Sequence, residues 1–116
     1  MNVETISEYC LSKKGAVEDF PFDEETLVFK VGGKMFALIP LEKIPLQINL
    51  KCDPEKAMEL REQFEDVQPG WHMSKKYWNT ITLDGNIRWI DLKEWIDHSY
   101  DEVVRELKKS ERDKIK

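Results

Sequence analysis

The chain has 116 residues, a formal net charge of -5, 35% charged residues and 41% hydrophobic residues. This length fits one domain, and the hydrophobic content excludes the composition of an intrinsically disordered chain. The acidic balance disfavours broad electrostatic capture of nucleic acid, but a local basic patch remains compatible with it.

The sequence has no feature that predicts a membrane or secreted protein. No stretch approaches the roughly 20 apolar residues of a membrane span, and the N-terminus lacks a basic start followed by an apolar run. We therefore expect a cytoplasmic protein, and we expect it to be a monomer. Cys10 and Cys52 fall at apolar positions without a CxxC spacing, which predicts buried thiols, with a disulfide as the alternative.

Hydrophobic periodicity predicts secondary structure in the order α-β-β-β-α-β-β-α. The predicted helices span residues 2–14, 53–66 and 92–109, and the predicted strands span residues 26–31, 34–39, 45–52, 71–74 and 78–83. The simplest assembly is a two-layer α+β fold in which helices cover one face of an antiparallel five-stranded sheet. Residues 1–110 then form a single domain, and residues 111–116 form a frayed C-terminal tail.

Local signals set several of these boundaries. Asn2 can cap the first helix, and Gly15 is the expected left-handed stop after it. Asp53 followed by Pro54 predicts the start of the second helix, and Asp91 is the predicted cap of the third.

The Gly32-Gly33 pair predicts a two-residue type I′ turn that fixes the register of the first hairpin. Phe29 then faces Phe36, and Leu27 faces Leu38. This register predicts a core face and an opposite face of the hairpin. The core face carries Leu27, Phe29, Val31, Phe36 and Leu38, and the opposite face carries Thr26, Val28, Lys30, Met35, Ala37 and Ile39.

The predicted uncovered face of the sheet is polar, basic and aromatic, and its polar members include no acidic residue. They are Thr26, Lys30, Gln47, Asn49, Lys51, Trp78, Thr80 and Thr82. The turn residues Lys34, Lys75 and Lys76 can rim this face. Because lysine ammonium groups bind phosphates and an exposed indole can stack on a base, the face is a candidate nucleic-acid surface.

Alternatives remain open for the same face. A solvent-facing sheet commonly carries Thr, Lys, Gln and Asn without any binding role. Trp78 packs in the core if a one-residue bulge reverses its direction, and tryptophan is buried on average. Val28, Met35 and Ile39 could instead seat a protein partner, which makes a protein-interaction or chaperone-like module the second functional hypothesis.

No catalytic constellation or cofactor motif stands out in the sequence. His72 could act as a general acid or base or as a metal ligand, but it has no partner at metal-binding spacing. The acidic segment 18–25 lacks the alternating oxygen ligands of a calcium loop. We therefore expect no enzyme activity, no metal and no cofactor, with a small-molecule site around Trp71, His72 and Trp78 as a third hypothesis.

Several short motifs follow one another from the end of the first helix to the last helix. They are Phe20-Pro21-Phe22, Val28-Phe29-Lys30-Val31, Gly33-Lys34-Met35-Phe36-Ala37, Leu50-Lys51-Cys52-Asp53-Pro54, Pro69-Gly70-Trp71-His72-Met73, Lys75-Lys76, Trp78-Asn79-Thr80 and Asp97-His98-Ser99-Tyr100. Together they resemble the MmcQ/YjbR family of small bacterial proteins. Trp71 stands where that family more often has tyrosine, so an aromatic residue is retained there.

The resemblance implies a two-layer α/β fold similar to type III secretion chaperones and loosely to frataxin-like proteins. It also implies DNA binding through a double-wing motif, with DNA as the first expected partner and another protein as the alternative. The residues expected to contact nucleic acid are Lys34, Lys51, His72, Lys75, Lys76, Trp78 and Asn79, together with Lys30 from the uncovered sheet face.

Overall fold

The computed structural model describes residues 1–70 and 73–115, which form one antiparallel sheet and a set of helices. The helices are α1 (Val3–Leu11), α2 (Pro54–Gln63), α3 (Trp89–Glu106) and α4 (Lys109–Ile115). The strands are β1 (Val17–Asp19), β2 (Thr26–Val31), β3 (Lys34–Pro40), β4 (Leu46–Lys51), β5 (Val67–Pro69) and β6 (Trp78–Leu83). The strand order across the sheet is β1-β2-β3-β4-β6-β5.

The sheet has six strands rather than the predicted five. The additional strand is β1, a fully exposed edge strand that pairs Val17 with Lys30 and Asp19 with Val28. Its three residues are all exposed, so they lack the alternation of apolar and polar residues from which a strand is predicted. The described strand before β6 is Val67–Pro69. Met73 and Ser74 of the predicted strand 71–74 are not in a strand, and Trp71 and His72 lie outside the described residues.

The register of the first hairpin differs from the predicted one because β3 contains a bulge. Phe29 pairs with Ala37, whereas Lys30 pairs with Met35, so Phe36 is an extra residue in β3. The glycine turn itself is confirmed, with φ of 58° at Gly32 and 80° at Gly33. The bulge therefore reverses the remainder of β3. Ala37 and Ile39 join the main core, and the predicted core residue Leu38 lies on the opposite face.

Helices α1, α2 and α3 pack on one face of the sheet and form the main core with it. This core includes Ile6, Cys10, Leu27, Phe29, Val31, Phe36, Ala37, Ile39, Ile48, Leu50, Ala57, Leu60, Ile81, Leu92, Trp95, Ile96 and Val103. The opposite face carries a smaller cluster of Val28, Leu38 and Trp78, with Met35 and Met73 packed against it. The predicted alternation of β4 and β6 is confirmed by this division of buried residues.

Several helix ends follow local rules. Asn2 Oδ1 accepts a hydrogen bond from the Thr5 N–H at 2.8 Å, and the Asp53 carboxylate accepts from the Glu55 and Lys56 N–H groups. The prediction for α3 is wrong by three residues, since Arg88 is its N-cap. Asp91 lies inside the first turn.

The C-terminal segment that was expected to fray is helical as far as the structure describes it. In helix α4, Ile115 packs against the main core beside Gly15. A Cβ atom added to Gly15 would lie 3.2 Å from Ile115 Cγ1. Gly15 has a φ of 75°, a left-handed conformation that glycine adopts without strain. A tertiary contact therefore stabilises a segment too short to form a helix alone.

Both cysteines are buried and free, as the sequence predicted. Burial removes water from the thiols and raises the pKa of Cys10 to about 12 and that of Cys52 to about 11. Across residues 1–70 and 73–115, no helix combines the length and the apolar composition needed to cross a membrane.

Candidate functional site

Five predicted lysines lie toward one end of the sheet, which we call the sheet end: Lys30, Lys34, Lys51, Lys75 and Lys76. The β2–β3 turn lies at this end, with Lys30 and Lys34 on either side of it. β4 ends there, and β6 begins there, because Lys51 pairs with Trp78. The loop that carries Lys75 and Lys76 leads directly into Trp78. Strand register thus assembles lysines that are far apart in the sequence.

Two of these lysines are partly neutralised by acids. Lys30 Nζ lies 3.2 Å from Asp19 Oδ2, and Lys51 Nζ lies 2.6 Å from Glu106 Oε2. Among the described residues, Lys34, Lys75 and Lys76 form no ion pair with a carboxylate, and all three are exposed. Among the five predicted lysines, these three therefore carry the unpaired positive charge.

An exposed aromatic side chain lies beside these charges, but it is Tyr77 rather than the predicted Trp78. Tyr77 is 41% exposed, and Lys76 Nζ lies 5.4 Å from the centroid of its ring. Trp78 is only 8% exposed and packs with Val28 and Leu38. The alternative in which Trp78 is packed is therefore confirmed, although β6 has no bulge. Trp78 is not the exposed stacking platform that was predicted.

Asn79 is also buried, with 2% exposure, and it faces α2 rather than solvent. Its Oδ1 accepts a hydrogen bond from Arg61 Nε at 2.7 Å, and its Nδ2 donates to the Ala57 carbonyl at 3.4 Å. The prediction that Asn79 belongs to a binding surface is wrong in this geometry. Its amide instead joins β6 to α2 inside the molecule.

Arg61 is the residue of this region that sequence reasoning missed. Besides bonding Asn79, its Nη2 donates to the backbone carbonyls of Lys75 and Trp78. It therefore holds the Lys75–Lys76 loop against α2. The available signal was its position four residues after buried Ala57, which places both side chains on one side of the helix.

His98, the histidine that the structure describes, has a local structural role. His98 Nε2 accepts a hydrogen bond from the Asp53 N–H at 3.1 Å, and burial lowers the pKa of His98. This bond requires an unprotonated Nε2, so His98 braces the start of α2. His72 lies outside the described residues, and no three His, Cys, Asp or Glu side chains of the described part are grouped for a metal ion.

The face opposite the helices contains a concavity of about 470 Å³, which we call the sheet-face groove. Its lining residues are Phe22, Asp23, Thr26, Leu38, Pro40, Lys43, Gln47, Asn49 and Met73. The predicted polar residues of this face bond to one another across strands, since Gln47 Nε2 donates to Thr82 Oγ1 and Thr80 Oγ1 donates to Asn49 Oδ1. The apolar side chains are thus the part of this face that can accept a ligand.

Similarity to known proteins agrees with the architecture just described. The YjbR family model matches residues 11–102, which is most of the chain. The chain belongs to the YjbR family. It is 31% identical over 112 residues to YjbR of Escherichia coli K12, covering 97% of this chain and 95% of that protein. It is 36% identical over 98 residues to YbdF of Escherichia coli O157:H7, covering 84% and 80% of the two chains.

Solved structures related to the YjbR family show the same fold. The crystal structure of Deinococcus radiodurans protein DR2400 superposes with a TM-score of 0.92 at 39% identity, covering 98% of this chain and 87% of that one. A crystal structure from Pseudomonas syringae gives a TM-score of 0.75 at 28% identity, covering 88% and 98%. These similarities confirm the predicted family and the antiparallel α+β architecture.

Proposed function

We propose that this YjbR-family protein is a non-catalytic binding module that contacts the phosphates of nucleic acid through its sheet end. The observation that carries this proposal is that Lys34, Lys75 and Lys76 lie toward the same end of the sheet without carboxylate partners in the described structure. Tyr77 adds an exposed ring on which an unpaired base can stack.

The overall charge of -5 opposes this interaction at long range. However, charges separated by more than about 10 Å are largely screened at 0.1 M salt. Local lysines therefore dominate the contact at physiological ionic strength, while the distant acids weaken it at low salt. We accordingly expect modest affinity and a small number of phosphate contacts.

Replacing Lys75 and Lys76 together by glutamine is expected to weaken oligonucleotide binding at least about tenfold and to lower the magnitude of the salt slope by about 1.4, since each phosphate contact with a single strand contributes about 0.7. Each lost ammonium group removes one phosphate contact and the counterion release that accompanies it. The measurement is fluorescence anisotropy of a labelled single-stranded oligonucleotide, titrated at several salt concentrations between about 50 and 200 mM.

The matched control removes the same charge elsewhere, with Lys43→Gln and Lys93→Gln in one variant. It should bind like the unmodified protein. Equal losses of affinity in the two double variants would show that binding depends only on the total charge of the protein. An unmodified protein that does not bind at about 50 mM salt would refute the proposal outright.

The sheet-face groove favours a second candidate function, recognition of a protein partner that presents an apolar side chain. Its volume of about 470 Å³ lies in the range of ligand sites, and Phe22, Leu38, Pro40 and Met73 give it an apolar wall. Met73 can adapt to different ligand shapes because methionine is unbranched and flexible. Phe22, which is 63% exposed, stands at the groove.

A photo-crosslinking residue at position 22 is expected to trap one defined protein in nuclease-treated lysate. The matched position is 77, at the sheet end, where the same residue should trap nothing after nuclease treatment. Excess oligonucleotide should leave the crosslink at position 22 unchanged. A crosslinked product that appears equally at both positions, or that oligonucleotide abolishes, would count against the groove.

A further inference from the structure

A separate concavity of about 510 Å³ lies between the end of α1, the second half of α3 and α4, and we call it the cationic pocket. Its lining residues are Ser12, Lys13, Lys14, Tyr100, Val104, Arg112 and Ile115. Cationic and apolar side chains line it without a carboxylate, although the chain as a whole carries a net charge of -5.

The apolar wall of the cationic pocket is fixed by contacts to the rest of the protein. The Tyr100 hydroxyl donates to the Lys14 carbonyl, and the Tyr100 ring packs edge-on against Phe36 at 5.4 Å between centroids. Ile115 packs against Gly15, which closes the side formed by α4. The wall is therefore preformed, and a ligand would order few protein groups on binding.

The cations of the pocket divide into one that is paired and two that are not. Lys13 binds the carboxylate of Asp97 and lies over the rings of Tyr9 and Tyr100. Lys14 and Arg112 are exposed and form no ion pair with a carboxylate of the described chain. A negatively charged group is thus expected between these two side chains rather than at Lys13.

We infer that the cationic pocket binds a small amphipathic carboxylate. Its carboxylate would meet Lys14 and Arg112, because a guanidinium group matches the two oxygens of a carboxylate. Its aliphatic or aromatic body would lie on Tyr100, Val104 and Ile115. A volume of about 510 Å³ suits a ligand of this size. The lining residues of the cationic pocket include none of the five lysines of the sheet end.

The test uses octanoate as the probe, with 1-octanol and acetate as partial probes, and follows the methyl signals of Ile115 and Met73 by NMR. Octanoate should shift the Ile115 signal in a saturable manner, at concentrations at least about tenfold lower than either partial probe. The combined Lys14→Gln and Arg112→Gln variant should weaken octanoate binding about tenfold or more.

The control variant combines Lys93→Gln with Arg88→Gln, which removes one lysine and one arginine that line neither the cationic pocket nor the sheet-face groove, and it should bind octanoate normally. Equal binding of octanoate and 1-octanol would overturn the carboxylate assignment. A shift confined to Met73, or no saturable shift of Ile115, would overturn the location.

Discussion

Truncation of Phe36 to alanine is expected to lower the free energy of unfolding by about 3–5 kcal/mol. Phe36 is fully buried at the bulge of β3, and its ring contacts Phe29 and Tyr100 at centroid distances of 6.4 and 5.4 Å. The truncated side chain would leave a cavity between the sheet and α3. Aromatic contacts would be lost in addition to the buried apolar area.

Equilibrium urea unfolding measures this loss, with Phe22→Ala as the matched control. Phe22 is 63% exposed, so its truncation should change the unfolding free energy by no more than about 0.5 kcal/mol. A loss below about 1 kcal/mol for Phe36→Ala would show that Phe36 does not occupy the core site described here.

Replacement of Ser99 by alanine is expected to cost about 2–6 kcal/mol, because it leaves two backbone groups without a partner at about 1–3 kcal/mol each. Ser99 is fully buried on α3. Its hydroxyl donates to the Phe36 carbonyl at 2.5 Å and accepts from the Lys51 N–H at 2.8 Å. These groups lie where β3 and β4 cease to pair, beyond Ala37 and Leu50. One side chain of α3 therefore completes the hydrogen bonding of both strands.

The same variant provides a local readout of this arrangement. Hydrogen exchange at the Lys51 amide should accelerate more than the global loss of stability explains, because the amide loses its own acceptor. Ser110→Ala, on exposed α4, is the control and should leave both stability and exchange unchanged. An unaltered Lys51 exchange rate in Ser99→Ala would contradict the bridging role of the hydroxyl.

Features set by neighbouring residues were predictable from the sequence. Asn2 and Asp53 with Pro54 have the predicted capping roles, and Gly32-Gly33 forms the predicted turn, although the bulge changes the register from Phe29 onward, away from the turn. The bulge at Phe36 and helix α4 were not predictable, because each depends on a partner far along the chain. Ser99 meets Phe36 across 63 residues, and Ile115 docks beside Gly15.

In the candidate site, too, local patterns were predictable from the sequence and long-range contacts were not. The predicted uncovered face took Trp78 and Thr80 from this strand, so alternation leaves Asn79 on the covered side, whereas the family resemblance placed it in the binding surface. The structure agrees with the alternation. The lysines were identifiable from the sequence, but their neutralisation was not. Lys51 meets Glu106 across 55 residues, a contact that only the packing of α3 creates.

The most direct measurement of the proposed function is an NMR titration of the uniformly labelled protein with a single-stranded oligonucleotide. The titration is made at about 50 mM salt, because phosphate contacts weaken as the salt concentration rises. We expect the largest amide shifts at Gly33, Lys34, Lys75, Lys76 and Tyr77, and we expect them to disappear as salt is raised. Shifts confined to the sheet-face groove or to the cationic pocket, or a spectrum unchanged at this salt concentration, would contradict nucleic-acid binding by the sheet end.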